Sequence, residues 1–520
     1  MHRSSSRSTP ESRGMGRRMA SRLWRSMENK KIFSNGVAYF CSSLMTQLVN
    51  LILIPLYTRN LSQQQYGQYD IILSIQQLLA LGITLGVFSG MVRFYHEYDN
   101  KLELRNTAVN FSLLWGLAFI LIAWAVNPWI YPHVFVHFSD STHLFIPYVV
   151  MSSVLACHNL IYSSYYTMQF KALLASSIQI ATMAFTLLYA LYFFLVLKMG
   201  VLGILQAQLF GHLTVFALLF LIHIRQYRFR LNIRQLRMML SYGTGLIAGD
   251  VSAWVLSLSD RFLIKGFMNL SSVAVYSIGY KIGMLINPVF INPFMSVFTP
   301  FKYAMYKESA GPEQIRKMFR LYNFVGWLCV LGLSLFANIA TQLVATEEYR
   351  DANYIIPIVA ISYFLAGAAD FYALGLHIAR KMKLYSIIII TAALINVGCN
   401  VMLIPLLGLY GSAISTVIAY MASNYLFYRF GTKYYSIGLG LLFPYKYLSV
   451  TLPIYGIYFV LMQVIHSVLL EILFNGILCC AFVYLCLLCK LVSRAELGGM
   501  IRQVLKQKSN MSMKGVQSEL

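Results

Sequence analysis

Charged residues are scarce in this sequence, and acidic residues are the scarcest of them. Of 520 residues only 18 are Asp or Glu, and charged residues of both signs make up 11% of the chain. Hydrophobic residues make up 58%, and the mean hydropathy is +0.64. Soluble domains typically carry about 25% charged residues. The composition therefore excludes a soluble globular protein.

Apolar runs dominate what is present. Runs of about twenty residues recur about fourteen times between short polar loops, and each could cross a bilayer as a helix. Helices are expected because backbone groups in lipid must form hydrogen bonds within their own segment. The sequence thus predicts an all-α integral membrane protein with about fourteen transmembrane helices.

Features of an enzyme are also missing. The longest predicted outward loops, near 131–142 and 344–354, are too short to hold an active site. The sequence contains no P-loop for a nucleotide. All 8 cysteines lie in or beside apolar runs, so the Cys486-x-x-Cys489 pair favours helix packing over metal or redox chemistry. We therefore expect no catalytic residues, no cofactor and no metal.

The positive charge has a one-sided distribution. The chain has 41 Lys and Arg residues and a net charge of +23. If the N-terminus is cytoplasmic, most of these residues fall in cytoplasmic loops and tails. This asymmetry predicts a multi-pass protein of the bacterial inner membrane with both termini in the cytoplasm. The basic segment Arg225–Arg237 could instead bind nucleic acid or anionic lipid, but a topology signal explains it better, so no nucleic-acid partner is expected.

The chain repeats itself weakly. Gly200-x-x-Gly203 precedes the sixth predicted span, and Gly408-x-x-Gly411 precedes the twelfth. Six spans per repeat give both halves the same orientation, which predicts two parallel six-helix lobes around a central cavity. The predicted segments are a disordered basic tail (1–30), an N-lobe (31–224), a basic cytoplasmic linker (225–239), a C-lobe (240–430), a C-terminal helix pair (431–492) and a cytoplasmic tail (493–520).

Equivalent spans in the two halves are interrupted. Gly82 and Gly86 lie in the second span, and Pro288 and Pro293 lie in the eighth. Paired interruptions by Gly and Pro point to a transport pathway, so these four residues are hinge candidates. The alternative is close helix packing at the glycines and inert kinks at the prolines.

Charged residues inside spans are costly unless they face a cavity or a partner. Asp250 and Lys281 lie at similar depth on consecutive spans, which predicts an ion pair between them. Asp250, Asp370 and Asp70 could carry coupling protons, although a structural ion pair is the alternative.

Polar stripes on several spans predict a hydrophilic cavity, and interhelical hydrogen bonding in a dry bundle is the alternative. Cationic groups in such a cavity would suit an anion such as a diphosphate. The candidate substrate-binding residues are Lys281, Arg59, Arg261, Asn50, Gln47, Gln77, Asn292 and Trp254.

Three segments resemble a known family. The first is SNGVAYFCSSLMTQLVNLILIPLYTRNLSQQQYGQYDI, the second is SDRFLIKGFMNLSSVAVYSIGYKIG, and the third is GLYGSAIST. They resemble Wzx-type lipid-linked oligosaccharide flippases, in the superfamily that also contains the MATE antiporters. The resemblance covers roughly residues 30–430, and fourteen spans fit the family.

The resemblance implies a function. A Wzx-type flippase moves an undecaprenyl-diphosphate-linked sugar unit from the cytoplasmic to the periplasmic leaflet, for O-antigen, capsule or exopolysaccharide synthesis. The expected partners are the lipid-linked oligosaccharide, membrane lipids, a polysaccharide polymerase and a chain-length regulator.

Two other functions remain open. A drug or cation antiporter of the same superfamily would have a largely anionic cavity, whereas this chain places Lys281 in a span. A membrane-embedded polymerase or glycosyltransferase would need a sizeable periplasmic loop, which the sequence does not contain.

Overall fold

The structure is a computed structural model that describes residues 52–134, 144–438, 440–465 and 467–492. Throughout these ranges the regular secondary structure is helical, without a strand, as the sequence predicts. The two predicted tails, 1–30 and 493–520, lie outside the described residues, as do Gln47 and Asn50.

The helices follow one another with short connections. In chain order they are α1 (52–60), α2 (Gln63–Thr84), α3 (Val87–Phe94), α4 (Lys101–Val134), α5 (Phe145–Met168), α6 (Ala172–Ala190), α7 (Gly200–His223), α8 (Ile233–Phe267), α9 (Leu270–Gly283), α10 (Asn292–Met305), α11 (Gly311–Leu335), α12 (Ala337–Val344), α13 (Ala352–Tyr372), α14 (Leu374–Ile378), α15 (Met382–Leu407), α16 (Leu409–Gly431), α17 (Leu448–Leu461) and α18 (Val468–Leu488).

Many of these helices could span a bilayer. Among the described residues, nine are long and apolar enough, or ten if the bent pair α2–α3 counts as one span. The protein is therefore a multi-pass membrane protein. The predicted total of fourteen stays a prediction.

The chain forms two compact units within the described ranges. Ile75–Ala248 and residues 52–53 belong to the first, and Ile54–Ser74 and residues 249–492 belong to the second. The segment Ile54–Ser74, which the sequence assigns to the N-lobe, is thus part of the second unit.

The interruptions predicted for the second and eighth spans are present. Leu85 and Gly86 have φ angles of 42° and 65°, and the helices on either side are bent by 51°. In the eighth span, a π-helical turn at Asn287–Ile291 contains Pro288, and Pro293 occupies the second position of α10. Both spans are therefore broken by residues that disfavour a regular helix.

Two loops have a residue of positive φ at equivalent positions in both halves. Gly200 and Gly408, at the starts of α7 and α16, have φ angles of 57° and 59°. Phe170 and Arg380, just before α6 and α15, have φ angles of 58° and 54°. Positive φ is uncommon for residues other than glycine. Its recurrence at equivalent loops supports the internal repeat.

Aromatic side chains fill the core of the second unit. Tyr322 stacks on Phe364 with ring centroids 5.3 Å apart, and Phe298 stacks on Phe371 at 4.0 Å. The indole N–H of Trp327 donates to the carbonyl of Pro444 at 2.8 Å. This packing connects α10, α11 and α13 and ties α11 to the turn before α17.

Candidate functional site

Four charged side chains meet on the packed faces of three helices in the second unit. They form an ionic cluster of Asp70 on α2, Asp260 and Arg261 on α8, and Lys281 on α9. The Arg261 guanidinium lies 2.8 Å from the Asp70 carboxylate and 2.9 Å from that of Asp260. The Lys281 ammonium lies 2.7 Å from the other Asp70 oxygen. The formal charges of the cluster cancel.

Hydroxyl groups complete the coordination of the two carboxylates. Ser277 donates to Asp70 at 2.5 Å, and Tyr276 donates to Asp260. The Lys281 ammonium also donates to the hydroxyl of Tyr66 at 3.0 Å. Buried charges are tolerated when they are paired and hydrogen-bonded in this way.

Aromatic rings cover the two cations. The Arg261 guanidinium lies 4.4 Å from the ring centroid of Tyr280, and the Lys281 ammonium lies 4.9 Å from that of Tyr66. Both distances are within the range of cation–π attraction. Tyr363 on α13 donates to the Tyr280 hydroxyl at 2.8 Å and so fixes that ring.

Glycines allow the helices to approach closely at this site. A methyl group at Gly67 of α2 would collide with the carbonyl oxygen of Leu270 at the start of α9. One at Gly279 of α9 would press against the carbonyl oxygen of Ala352 on α13. The ion pairs of Asp70 and the close contact at Gly67 join Ile54–Ser74 to the rest of the second unit.

Lys281 differs from the rest of the ionic cluster in its exposure. Its side chain is 26% exposed, whereas those of Asp70, Asp260 and Arg261 are at most 4% exposed. Lys281 is therefore the most exposed of the four charged side chains in the cluster.

The predicted ion pair between Asp250 and Lys281 is wrong. Lys281 pairs with Asp70, and Asp250 is exposed and forms no ion pair with any described residue. Asp250 and Lys281 lie at similar depth along their spans, but depth does not determine which faces of two helices are in contact. Asp250 lies about three turns before Arg261 on α8, the residue through which that helix joins the cluster.

The other predicted residues do not all converge on the ionic cluster. Arg59, Gln77 and Asn292 are exposed. The indole N–H of Trp254 donates to the backbone carbonyl of Ser74 at 3.0 Å, so this side chain joins α8 to α2. Their role in substrate binding stays a prediction.

Asp370 has a cationic partner of its own. Its carboxylate lies 3.6 Å from the ammonium of Lys302, whose side chain is 3% exposed, while that of Asp370 is 35% exposed. The pair joins α10 to α13.

Sequence reasoning missed Asp260, Tyr66 and Tyr276 as members of the site. Asp260 directly precedes Arg261 near a predicted span end, where a carboxylate attracts little notice. The available signal was the presence of the triplets SDR and GYK in one apolar segment of the sequence. The acid and the two bases of these triplets require partners in so apolar a segment.

A cavity of about 410 Å³ with several polar side chains in its lining lies in the first unit, among α1, α2, α5, α6 and α7. Its polar lining comes from neutral amide, hydroxyl and imidazole groups, and no described lining residue carries a carboxylate or a permanent positive charge. The polar residues are Gln76, Asn159, Ser163, Gln179, Thr182, Thr186, Gln208 and His212.

Residues 56–354, more than half of the chain, match the family described as "Polysaccharide biosynthesis protein". The chain belongs to this family. All members of the ionic cluster lie within the matched residues. A protein of the Lsg locus of Haemophilus influenzae is 21% identical over 414 residues, which cover 76% of this chain and 98% of that relative.

Solved structures share the fold. The lipid II flippase MurJ, in an inward closed conformation, aligns with a TM-score of 0.67 and 16% identity over 88% of this chain and 99% of its own. An inward-facing multidrug resistance MATE transporter of the MOP superfamily aligns with a TM-score of 0.62 and 16% identity over 74% and 93%. The chain therefore has the fold of these transporters.

Proposed function

We propose that this protein moves an undecaprenyl-diphosphate-linked oligosaccharide across the bacterial inner membrane, from the cytoplasmic to the periplasmic leaflet. The saccharide would be used for O-antigen, capsule or exopolysaccharide. Membership of the polysaccharide biosynthesis protein family carries this proposal. A fold shared with a lipid II flippase supports it, since that protein's name describes movement of a lipid-linked precursor.

Lys281 is the residue we propose as the contact for the diphosphate. Its side chain is partly exposed, and its ammonium already binds a carboxylate. Ammonium groups bind phosphate oxygens through charge-assisted hydrogen bonds. When a diphosphate binds Lys281, Asp70 keeps its bond to Arg261. The substrate can therefore take over one cation without leaving a buried carboxylate unpaired.

Transport would proceed by alternating access of two lobes about a central cavity. The breaks at Gly86 and at Asn287–Ile291 are the proposed hinges. Asp250, Asp370 and Asp70 remain the candidates for a coupling ion. Asp250 suits that role best because it is exposed and pairs with no described cation.

A cation antiporter is the alternative on the same fold. Carboxylates inside membrane spans mark ion pathways and would serve to bind a cation. The described lining of the first-unit cavity contains none, and the most exposed charged side chain of the ionic cluster is a lysine. These two places favour an anionic or neutral substrate.

The test is complementation of a strain that lacks its own flippase for a surface polysaccharide. Lys281→Ala should abolish the polymer, and Lys281→Arg should restore part of it because the charge is kept. The amount of protein in the membrane should be unchanged, since Arg261 still pairs with Asp70.

The matched control is Lys383→Ala, which removes an exposed lysine of the second unit. It should leave polymer at the wild-type level. A wild-type amount of polymer in the Lys281→Ala strain would contradict the role of Lys281. The proposed function would be contradicted if the unmodified chain failed to complement flippase-null strains from all three polymer pathways.

A further inference from the structure

A second polar cavity, of about 590 Å³, lies in the second unit among α11, α12, α13, α17 and α18. Its size is within the range of about 300–1,000 Å³ that is usual for ligand pockets. One wall comes from the helix pair that stands outside the internal repeat. Arg350, in the loop predicted to face outward, lies at another wall.

A chain of amides leads to a buried carboxylate in this cavity. Gln342 and Asn353 donate to the side-chain oxygen of Asn338 at 3.2 and 3.1 Å. Asn338 donates in turn to both oxygens of Glu471, at 3.3 and 3.2 Å. Glu471 is 4% exposed, and no described cation lies within ion-pair distance of it. A carboxylate can accept about four hydrogen bonds, so this one has acceptor capacity left for hydroxyl donors.

Tyrosines supply flat apolar surface in the same cavity. Tyr354, Tyr455 and Tyr458 line the cavity, and the rings of the last two stack at 5.7 Å. Tyrosine combines an apolar face with a polar tip. A ligand for these walls needs apolar faces and several hydroxyl groups around its edge.

The charges in the cavity lining balance. Among the described lining residues, Arg350 carries the positive charge and Glu471 the negative one. A phosphate would meet the buried carboxylate at a high electrostatic cost. The cavity therefore suits an uncharged ligand.

We propose that this cavity binds the saccharide part of the lipid-linked substrate after it reaches the outer side of the membrane. A sugar ring has C–H groups on its faces, which would lie on the tyrosines, and hydroxyls at its edge, which would donate to Glu471. This inference rests on the proposed function. It assigns the sugar to a site separate from the diphosphate contact at Lys281.

The experiment measures binding to the purified full chain in lipid nanodiscs. The first probe is the oligosaccharide released by mild acid from the lipid-linked substrate of the producing cell, and the second is undecaprenyl diphosphate. Glu471→Gln and Tyr354→Ala should each weaken oligosaccharide binding about tenfold, because the first removes a charged acceptor for the hydroxyls and the second removes an aromatic face for the sugar ring. Binding of undecaprenyl diphosphate should not change.

Two variants serve as matched controls. Glu313→Gln alters an exposed glutamate, and Tyr425→Ala removes a tyrosine that is 52% exposed, close to the 47% exposure of Tyr354. Both residues lie outside the cavity lining, so the two variants should bind both probes as the wild type does. Equal losses in Tyr354→Ala and Tyr425→Ala would overturn the site.

The outcomes separate the two proposals. Oligosaccharide binding that is absent in the wild type, or unaffected by Glu471→Gln and Tyr354→Ala, overturns the saccharide site and leaves the flippase function standing. Wild-type protein that binds the oligosaccharide at this cavity but not undecaprenyl diphosphate supports the site and counts against the proposed function.

Discussion

Buried cations are held in different ways in the two units. In the second, Arg261 lies between two carboxylates. In the first, the fully buried Arg105 has no carboxylate among the described residues within ion-pair distance. Its guanidinium binds the amides of Asn106 and Gln226 at 3.0 and 3.4 Å and lies 5.1 Å from the ring centroid of Tyr165.

This difference indicates what each cation does. Arg261 neutralises acids that would otherwise be buried and unpaired, so its loss exposes a large desolvation cost. The partners of Arg105 are neutral, so their burial without Arg105 costs less than the burial of an unpaired carboxylate. Lys281 is intermediate, because it is partly exposed and shares Asp70 with Arg261. Of the three, it is the cation that we propose to change partners during transport.

The largest effect should come from Arg261→Ala. Asp260 would keep its hydrogen bond from Tyr276 but lose its cation. Lys281 would be the remaining ion-pair partner of Asp70. We expect a loss of about 3–5 kcal/mol in the free energy of unfolding, measured by denaturant unfolding of the purified protein in micelles. Stability within about 1 kcal/mol of wild type would contradict the assigned role of the ionic cluster.

The sequence predicts the fold class, the two interrupted spans and the repeated loop glycines because these follow from apolar periodicity and from backbone preferences of Gly and Pro. It also predicts that Lys281 needs an acidic partner. It does not identify Asp70 as that partner. Helical phase gives the depth and the face of a residue on its own helix, but not which face of another helix packs against it. The choice between Asp70 and Asp250 depends on the approach of α2 to α9 at Gly67, which is a tertiary contact.

A smaller effect should follow from Arg105→Ala. Removing this side chain breaks hydrogen bonds and cation–π contacts but leaves no described carboxylate unpaired. We expect a loss of about 2 kcal/mol in the free energy of unfolding. The same denaturant measurement checks it, and a loss equal to that of Arg261→Ala would remove the distinction between the two units.

Gly200→Ala and Gly408→Ala should have smaller, equal effects. Both glycines have positive φ, and an added methyl group would meet nothing at Gly200 and only the Met268 side chain at 3.5 Å at Gly408. The cost is then conformational, about 1–3 kcal/mol at each site because an L side chain is strained at positive φ, and it is read from the unfolding midpoints of both variants. A difference of more than about twofold between them would count against equivalent loops in the two halves.

The smallest effect on stability should come from Asp250→Asn. The residue is exposed and has no ion pair among the described residues, so unfolding should change by less than about 0.5 kcal/mol. Asp70→Asn is the paired comparison and should be strongly destabilising, because Arg261 would lose one of its two carboxylates. Similar unfolding curves for the two variants would contradict the observed pairing.

The most direct measurement is transport by the purified full chain in proteoliposomes. An undecaprenyl-diphosphate-linked oligosaccharide is placed in one leaflet, and its arrival in the other is followed with a sugar-modifying reagent that cannot cross the membrane. Saturable movement that is lost in Lys281→Ala and kept in Lys383→Ala is the predicted result. Movement no faster than in protein-free liposomes, or equal rates for the two variants, would contradict the account.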